Sequence, residues 1–120
     1  MKRLPILFAS LAAVVGISAW AAYRLLHSEE RIDMARAQLV SLEMKVRAFQ
    51  SDTQLLPNTL QDLLVQNDIA NWRGPYAKSR ELLDPWGHAI QYEPLGQSNS
   101  QFRLFAVGAS GNVKASVTYP

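Results

Sequence analysis

LPILFASLAAVVGISAWAAY, residues 4–23, and IDMARAQLVSLEMKVRAF, residues 32–49, decide the fold of this chain. The first stretch carries no charge over twenty residues. At about 1.5 Å rise per residue that is a helix of about 30 Å, the thickness of a bilayer core. In the second stretch Ile32, Ala35, Leu39, Leu42, Val46 and Phe49 recur at alternating spacings of three and four. Residues so spaced share one face of a helix, and Arg31, Asp33, Arg36, Glu43, Lys45 and Arg47 fill the other faces. Neither Gly nor Pro occurs between Tyr23 and Thr53, so one helix is predicted from Leu4 to Leu55. Its first half requires lipid or another apolar helix around it, and its second half requires a cover for one stripe.

Composition narrows the remainder. Roughly 97 of the 120 residues follow Tyr23, enough for one modest core. Lys2, Arg3 and Arg24 flank the apolar run, and beyond them nine Lys/Arg face ten Asp/Glu. A domain with that balance is not a basic surface for nucleic acid, so no nucleic-acid partner is expected. The chain has no cysteine, which excludes a disulfide framework and a thiolate site. Met1-Lys2-Arg3 before an apolar run is an export-type start. Two readings of it stay open: a retained single-pass anchor, and a signal peptide removed at Ala19-Trp20-Ala21. The length of the run favours the anchor, which divides the chain into an anchor at 1–26 and a domain at 27–120.

After the helix, Pro57 biases Leu56 away from the helical region. Asn58 is a candidate N-cap with Gln61 three residues on, and a second helix is predicted from Thr59 to about Asn67. Residues 71–83 read as a loop broken at Gly74-Pro75 and carrying Trp72 and Tyr76. Asp84-Pro85-Trp86-Gly87 has the chemistry of a type I turn. Strands are expected at 89–93, at 102–107, and along the alternation Val113, Ala115, Val117, Tyr119. Short links make the sheet antiparallel. The economical arrangement is an α+β fold: a long N-terminal helix, transmembrane and then amphipathic, packed on a short helix and a small antiparallel sheet.

Three stretches in this order then carry a resemblance. Ala37–Gln50 precedes Leu56-Pro57, the Asn71-Trp72-Arg73-Gly74-Pro75-Tyr76 loop follows, and Asp84-Pro85-Trp86-Gly87 leads to Leu104-Phe105-Ala106-Val107-Gly108-Ala109-Ser110-Gly111. Over roughly residues 35–113 the chain resembles the major pseudopilin (G subunit) of type II secretion systems, within the type IV pilin-like superfamily. The resemblance implies a pilin-like fold, with Asp84, Pro85, Trp86, Gly87, Trp72, Gly74 and Pro75 as structural motif residues. Ile32, Leu39, Leu42, Val46 and Phe49 are the helix stripe that packs on the sheet. It implies a subunit with its N-terminus in the cytoplasm, one pass through the bacterial inner membrane, and a periplasmic C-terminal domain. Such subunits polymerise with themselves or other pseudopilins through the N-terminal helix, on an inner-membrane secretion platform, into a pseudopilus that helps export folded proteins. The alternatives are a non-polymerising pilin-like accessory or binding module, and a Sec-processed soluble periplasmic domain.

Two departures shape the expectations. The family opens with a basic leader and a Gly-Phe-Thr-x-x-Glu peptidase site, whereas residues 4–23 hold no acid and Gly16 is followed by Ile17-Ser18. Prepilin-peptidase processing is therefore not expected, nor is the early glutamate that guides assembly in the family. Family members also bind calcium in an acidic loop, but no Asp or Glu follows Glu93 here, so no calcium and no other cofactor is expected. Catalysis is not expected either. His27 and His88 lack a nucleophile or metal partner in sequence, and Ser110 does not lie in a nucleophile elbow.

Overall fold

A computed structural model describes residues 4–96, 100–108 and 111–120, with side-chain surroundings from residue 12 onward. One helix, α1, runs from Leu4 to Thr53. Two single turns of 3-10 helix follow, Leu60–Leu63 and Ser79–Leu82. Three strands complete the fold: β1 Gln91–Gly96, β2 Gln101–Ala106 and β3 Ala115–Tyr119. The sheet is antiparallel in the order β1-β2-β3. The fold is therefore α+β, a long N-terminal helix followed by a small three-stranded sheet. The chain falls into two compact units, Met1–Arg31 and Ile32–Pro120.

In the first unit Val14, Val15, Ile17, Trp20, Tyr23, Leu25 and Leu26 are all more than half exposed. Among the described residues, no helix is long and apolar enough to cross a membrane. The expected apolar run at 4–23 begins outside the residues whose side chains are described, which start at residue 12.

In the second unit the predicted stripe is the core. Ala35, Leu39, Leu42, Val46 and Phe49 are each 1% exposed or less, and Ile32 at the start of the unit is half-buried. The sheet meets them with one face. Phe102, Leu104 and Ala106 of β2 are fully buried, and Ala115 and Tyr119 of β3 are nearly so. Arg103 and Phe105, on the other face, are more accessible. Phe102 sits opposite Tyr119 in the ladder, ring centroids 5.2 Å apart, and Tyr92 of β1 lies 5.9 Å from it. Arg47 seals one end: its guanidinium lies 4.8 Å over the Phe102 ring and donates to the carbonyls of Ser100 and Pro120.

Several boundaries differ from the sequence reading, each for a local reason. α1 stops at Thr53, before Leu55, because Gln54 takes a left-handed conformation (φ 61°) and the Thr53 hydroxyl donates back to the Phe49 carbonyl, 2.9 Å. The predicted second helix, Thr59–Asn67, is a single 3-10 turn. Its carbonyls are spent elsewhere: Asp62 C=O accepts from the Trp72 indole, 2.8 Å, and Leu63 C=O from the Tyr76 and Ala77 amides, 2.8 and 3.3 Å. These carbonyls face the following loop, where the Trp72 indole and the Tyr76 and Ala77 amides meet them. Its cap lies one residue later than expected, at Thr59, and the reciprocal acid is Asp62 in place of Gln61. Within the expected 71–83 loop, Ser79–Leu82 forms a 3-10 turn of its own. The strand expected at 89–93 begins at Gln91, because Ala89 bridges Leu83 and the Ile90 amide donates to Leu82 C=O, 2.8 Å. β1 then continues to Gly96 with an irregularity between Pro94 and Gly96, and Pro94 is tolerated on an edge strand. Val113 is 59% exposed and lies outside β3, so the last alternation begins only at Ala115.

Opposite faces of α1 should answer differently to truncation. Leu39→Ala should lower unfolding stability by about 2–5 kcal/mol, because a fully buried side chain leaves a cavity. Met44→Ala, at a position 67% exposed, should change it by about 0.5 kcal/mol or less. Chemical denaturation of the two variants in parallel measures the contrast.

Candidate functional site

The motif residues occupy two loops of the 32–120 unit. The first, residues 72–76, folds around two aromatic rings. Trp72 donates its indole N–H to the Asp62 carbonyl, and its ring meets Tyr76 edge-on with centroids 5.6 Å apart. Tyr76 in turn meets Phe49 of the core edge-on, also at 5.6 Å. Gly74 sits between the rings: a Cβ there would stand 2.6 Å from Trp72 Cζ2 and 2.8 Å from Tyr76 Cδ2. The Gly74–Pro75 peptide is cis. The Tyr76 hydroxyl accepts from the Arg73 amide, 2.9 Å, and donates to Asp52 Oδ2 on α1, 2.8 Å.

The chain from this loop to Leu83 is stitched to α1 along a line that the apolar pattern did not reveal. Gln38 donates to the Leu83 carbonyl at 3.2 Å, Lys45 pairs with Glu81, and Asp52 accepts from Tyr76. Gln38, Lys45 and Asp52 recur every seven residues, which is close to two helical turns, so they form one polar row beside the buried stripe. Their partners descend in number as they ascend, so the loop runs antiparallel to the helix. Glu81 also accepts from the Lys78 amide, 2.6 Å. The Lys45 ammonium, and then that amide, hold the Glu81 carboxyl below its ordinary value.

The second loop is the Asp84–Gly87 turn. The Gly87 amide donates to Asp84 C=O at 3.0 Å, closing the turn, and Gly87 has φ 85°. Asp84 is only 4% exposed. Its Oδ1 accepts from the Trp86 and His88 amides, 3.0 and 2.9 Å, and its Oδ2 accepts from the Gly108 amide beyond β2, 3.1 Å. Trp86 is half-buried and packs on the core from outside, so it is less enclosed than a core anchor.

Of the predicted motif residues Asp84 is buried, Trp72, Gly74, Pro85 and Trp86 are half-buried, and Pro75 and Gly87 are exposed. Trp72 meets the Leu60–Leu63 turn through the Asp62 carbonyl, Gly74 lies between Trp72 and Tyr76, and Asp84 and Trp86 meet Gly108 beyond β2. Asp62 and Asp52 were not singled out in the sequence, and Tyr76, Arg47 and Gly108 were named there without the contacts they make here. The buried Asp62 accepts from the Asn58 and Thr59 amides, 2.9 and 3.3 Å, and its spacing of three from Thr59 was a legible capping signal. Burial raises the Tyr92 phenol far above 10.0, and its hydroxyl donates to Pro57 C=O at 2.8 Å. Burial also raises Tyr76 and Tyr119. As for groups with chemistry of their own, the His27 imidazole meets Glu30 at 3.1 Å on the exposed surface of α1. No group of three or more His, Asp or Glu that could hold a metal ion occurs among the described residues.

Two outcomes follow from this geometry. Gly74→Ala should cost about 1–3 kcal/mol of stability by forcing Trp72 and Tyr76 apart, with a shift in tryptophan emission to report the ring movement. The three phenols ionise less readily in the folded chain than their ordinary value of 10.0, so their contribution is complete below that pH. It declines as pH rises through and above it. Thermal midpoints should therefore fall from pH about 10 upward, and Tyr92→Phe should flatten that fall.

A family model described as type II secretion system (T2SS), protein G matches residues 25–118. A curated relative, the type II secretion system core protein G of Xanthomonas campestris pv. campestris, is 42% identical over 82 residues. The match spans 68% of this chain and 57% of that relative.

Proposed function

This chain belongs to the type II secretion system protein G family, and we propose that it serves as a pseudopilin subunit, a structural part of that export machine. The observation that carries the reading is the family match over residues 25–118, which takes in both motif loops and the sheet. The geometry supports a structural role. The motif side chains tie one loop to another, and their polar atoms are occupied by backbone groups. The work of the protein then falls to surfaces that meet other molecules, and no catalytic step is assigned to it.

On this reading residues 1–26 are the anchor. They cross the inner membrane once with the N-terminus in the cytoplasm, and 27–120 is the periplasmic domain. The exposed series from Val14 to Leu26 supports an apolar surrounding, since a run of large apolar side chains is costly in water. The uncharged residues 4–11 extend that run. Small residues at Ala12, Ala13, Gly16 and Ala19 would let helices approach closely. The partners are further copies of this chain, other pseudopilins and the inner-membrane platform.

Because the chain has no cysteine, an introduced thiol reports on its own position alone. Membranes from cells carrying Ala13→Cys with Ala19→Cys should yield a ladder of cross-linked multimers, and the protein should leave the membrane with detergent and remain through a high-salt wash. Monomers alone, in membranes of cells that secrete normally, would favour a non-polymerising accessory. A soluble product beginning at Ala22 would replace the anchor with a cleaved signal.

A further inference from the structure

The resemblance implies a calcium ion in the loop after β2, and the residues of that loop do not fit one. Residues 107–114 read Val-Gly-Ala-Ser-Gly-Asn-Val-Lys, without a carboxylate. Calcium takes about six to eight oxygen ligands, usually with carboxylates among them. The one charged side chain in the loop, Lys114, is itself a cation, and its stem packs on Gly108, where a Cβ would stand 2.8 Å from Lys114 Cγ. A carboxylate does reach this loop, but from the Asp84–Gly87 turn, and three backbone amides already fill its oxygens: Trp86, His88 and Gly108. Gly108 is buried, has φ 70° and stands 3.5 Å from Trp86 Cδ2 at the position of a Cβ. Any larger residue would be strained there, so the amide is presented to Asp84 by a backbone conformation suited to glycine.

We propose that this loop is closed by an internal clasp, the Asp84 carboxylate on the Gly108 amide, in place of a divalent cation. A hydrogen bond to an ionised acceptor is stronger than one between neutral groups, and this one is shielded from water. It joins two segments 24 residues apart, and the Lys114 amide, donating to Ala106 C=O at 2.8 Å, leads the chain from the loop into β3. The clasp takes over the task of an ion, holding the chain between β2 and β3 against the turn before β1. The inference stands on these contacts and does not depend on the protein's place in a filament.

The test uses the full chain in detergent micelles, with calcium chloride in excess and then with a chelator. Thermal midpoints should coincide in the two conditions, and hydrogen exchange at the Gly108 amide should be slow and equal in both. In Asp84→Asn that amide should exchange about tenfold faster or more, with or without calcium. A midpoint that rises with calcium and falls with chelator overturns the proposal. So does a Gly108 amide whose exchange is unmoved by Asp84→Asn. Should that variant not fold, the wild-type arm decides alone, because a calcium-held loop loses its Gly108 protection in chelator.

Discussion

The 32–120 unit depends on one mutual burial. The helix face from Ala35 to Phe49 and the inner face of the sheet are each too apolar to be left in water, and each covers the other. Burying a side chain of this size contributes about 1.5–3 kcal/mol. The four largest on the helix therefore contribute about as much as the whole net stability of a small domain. Everything else in the unit is arranged around this contact. The row Gln38, Lys45 and Asp52 holds the 72–83 segment along one flank of the stripe, and Arg47 closes the end near Ser100 and Pro120.

A small core leaves long stretches of chain without regular secondary structure, and their amides need acceptors. Three aspartates supply them or anchor those that do. Asp62 takes the amides that begin the Leu60–Leu63 turn, Asp84 takes those of its own turn and of Gly108, and Asp52 fixes the tyrosine that takes the Arg73 amide. The motif residues serve the same economy. Gly74 lets two aromatic rings close on each other, and Gly108 lets an amide reach a buried carboxylate. In the first unit the balance is reversed, with large apolar side chains outward from Val14 to Leu26.

Periodicity and turn chemistry were enough to give the class of fold, the buried stripe and the Asp84–Gly87 turn. Those signals are local: a helix face repeats every three to four residues, and an Asp-Pro-x-Gly turn is closed by its own atoms. The strand at β2 was legible for the same reason, since Phe102, Leu104 and Ala106 alternate. The short Leu60–Leu63 turn was not, because its carbonyls meet the Trp72 indole and the Tyr76 amide of the following loop. The start of β1 moved because Ala89 and Ile90 found partners in Leu83 and Leu82. The polar row at 38, 45 and 52, the Asp84–Gly108 clasp and the seat of Trp72 against Asp62 were decided only by tertiary structure. In each, a hydrogen-bonding group was matched to a partner that no sequence period points to, and only the packed sheet and helix bring the two within reach.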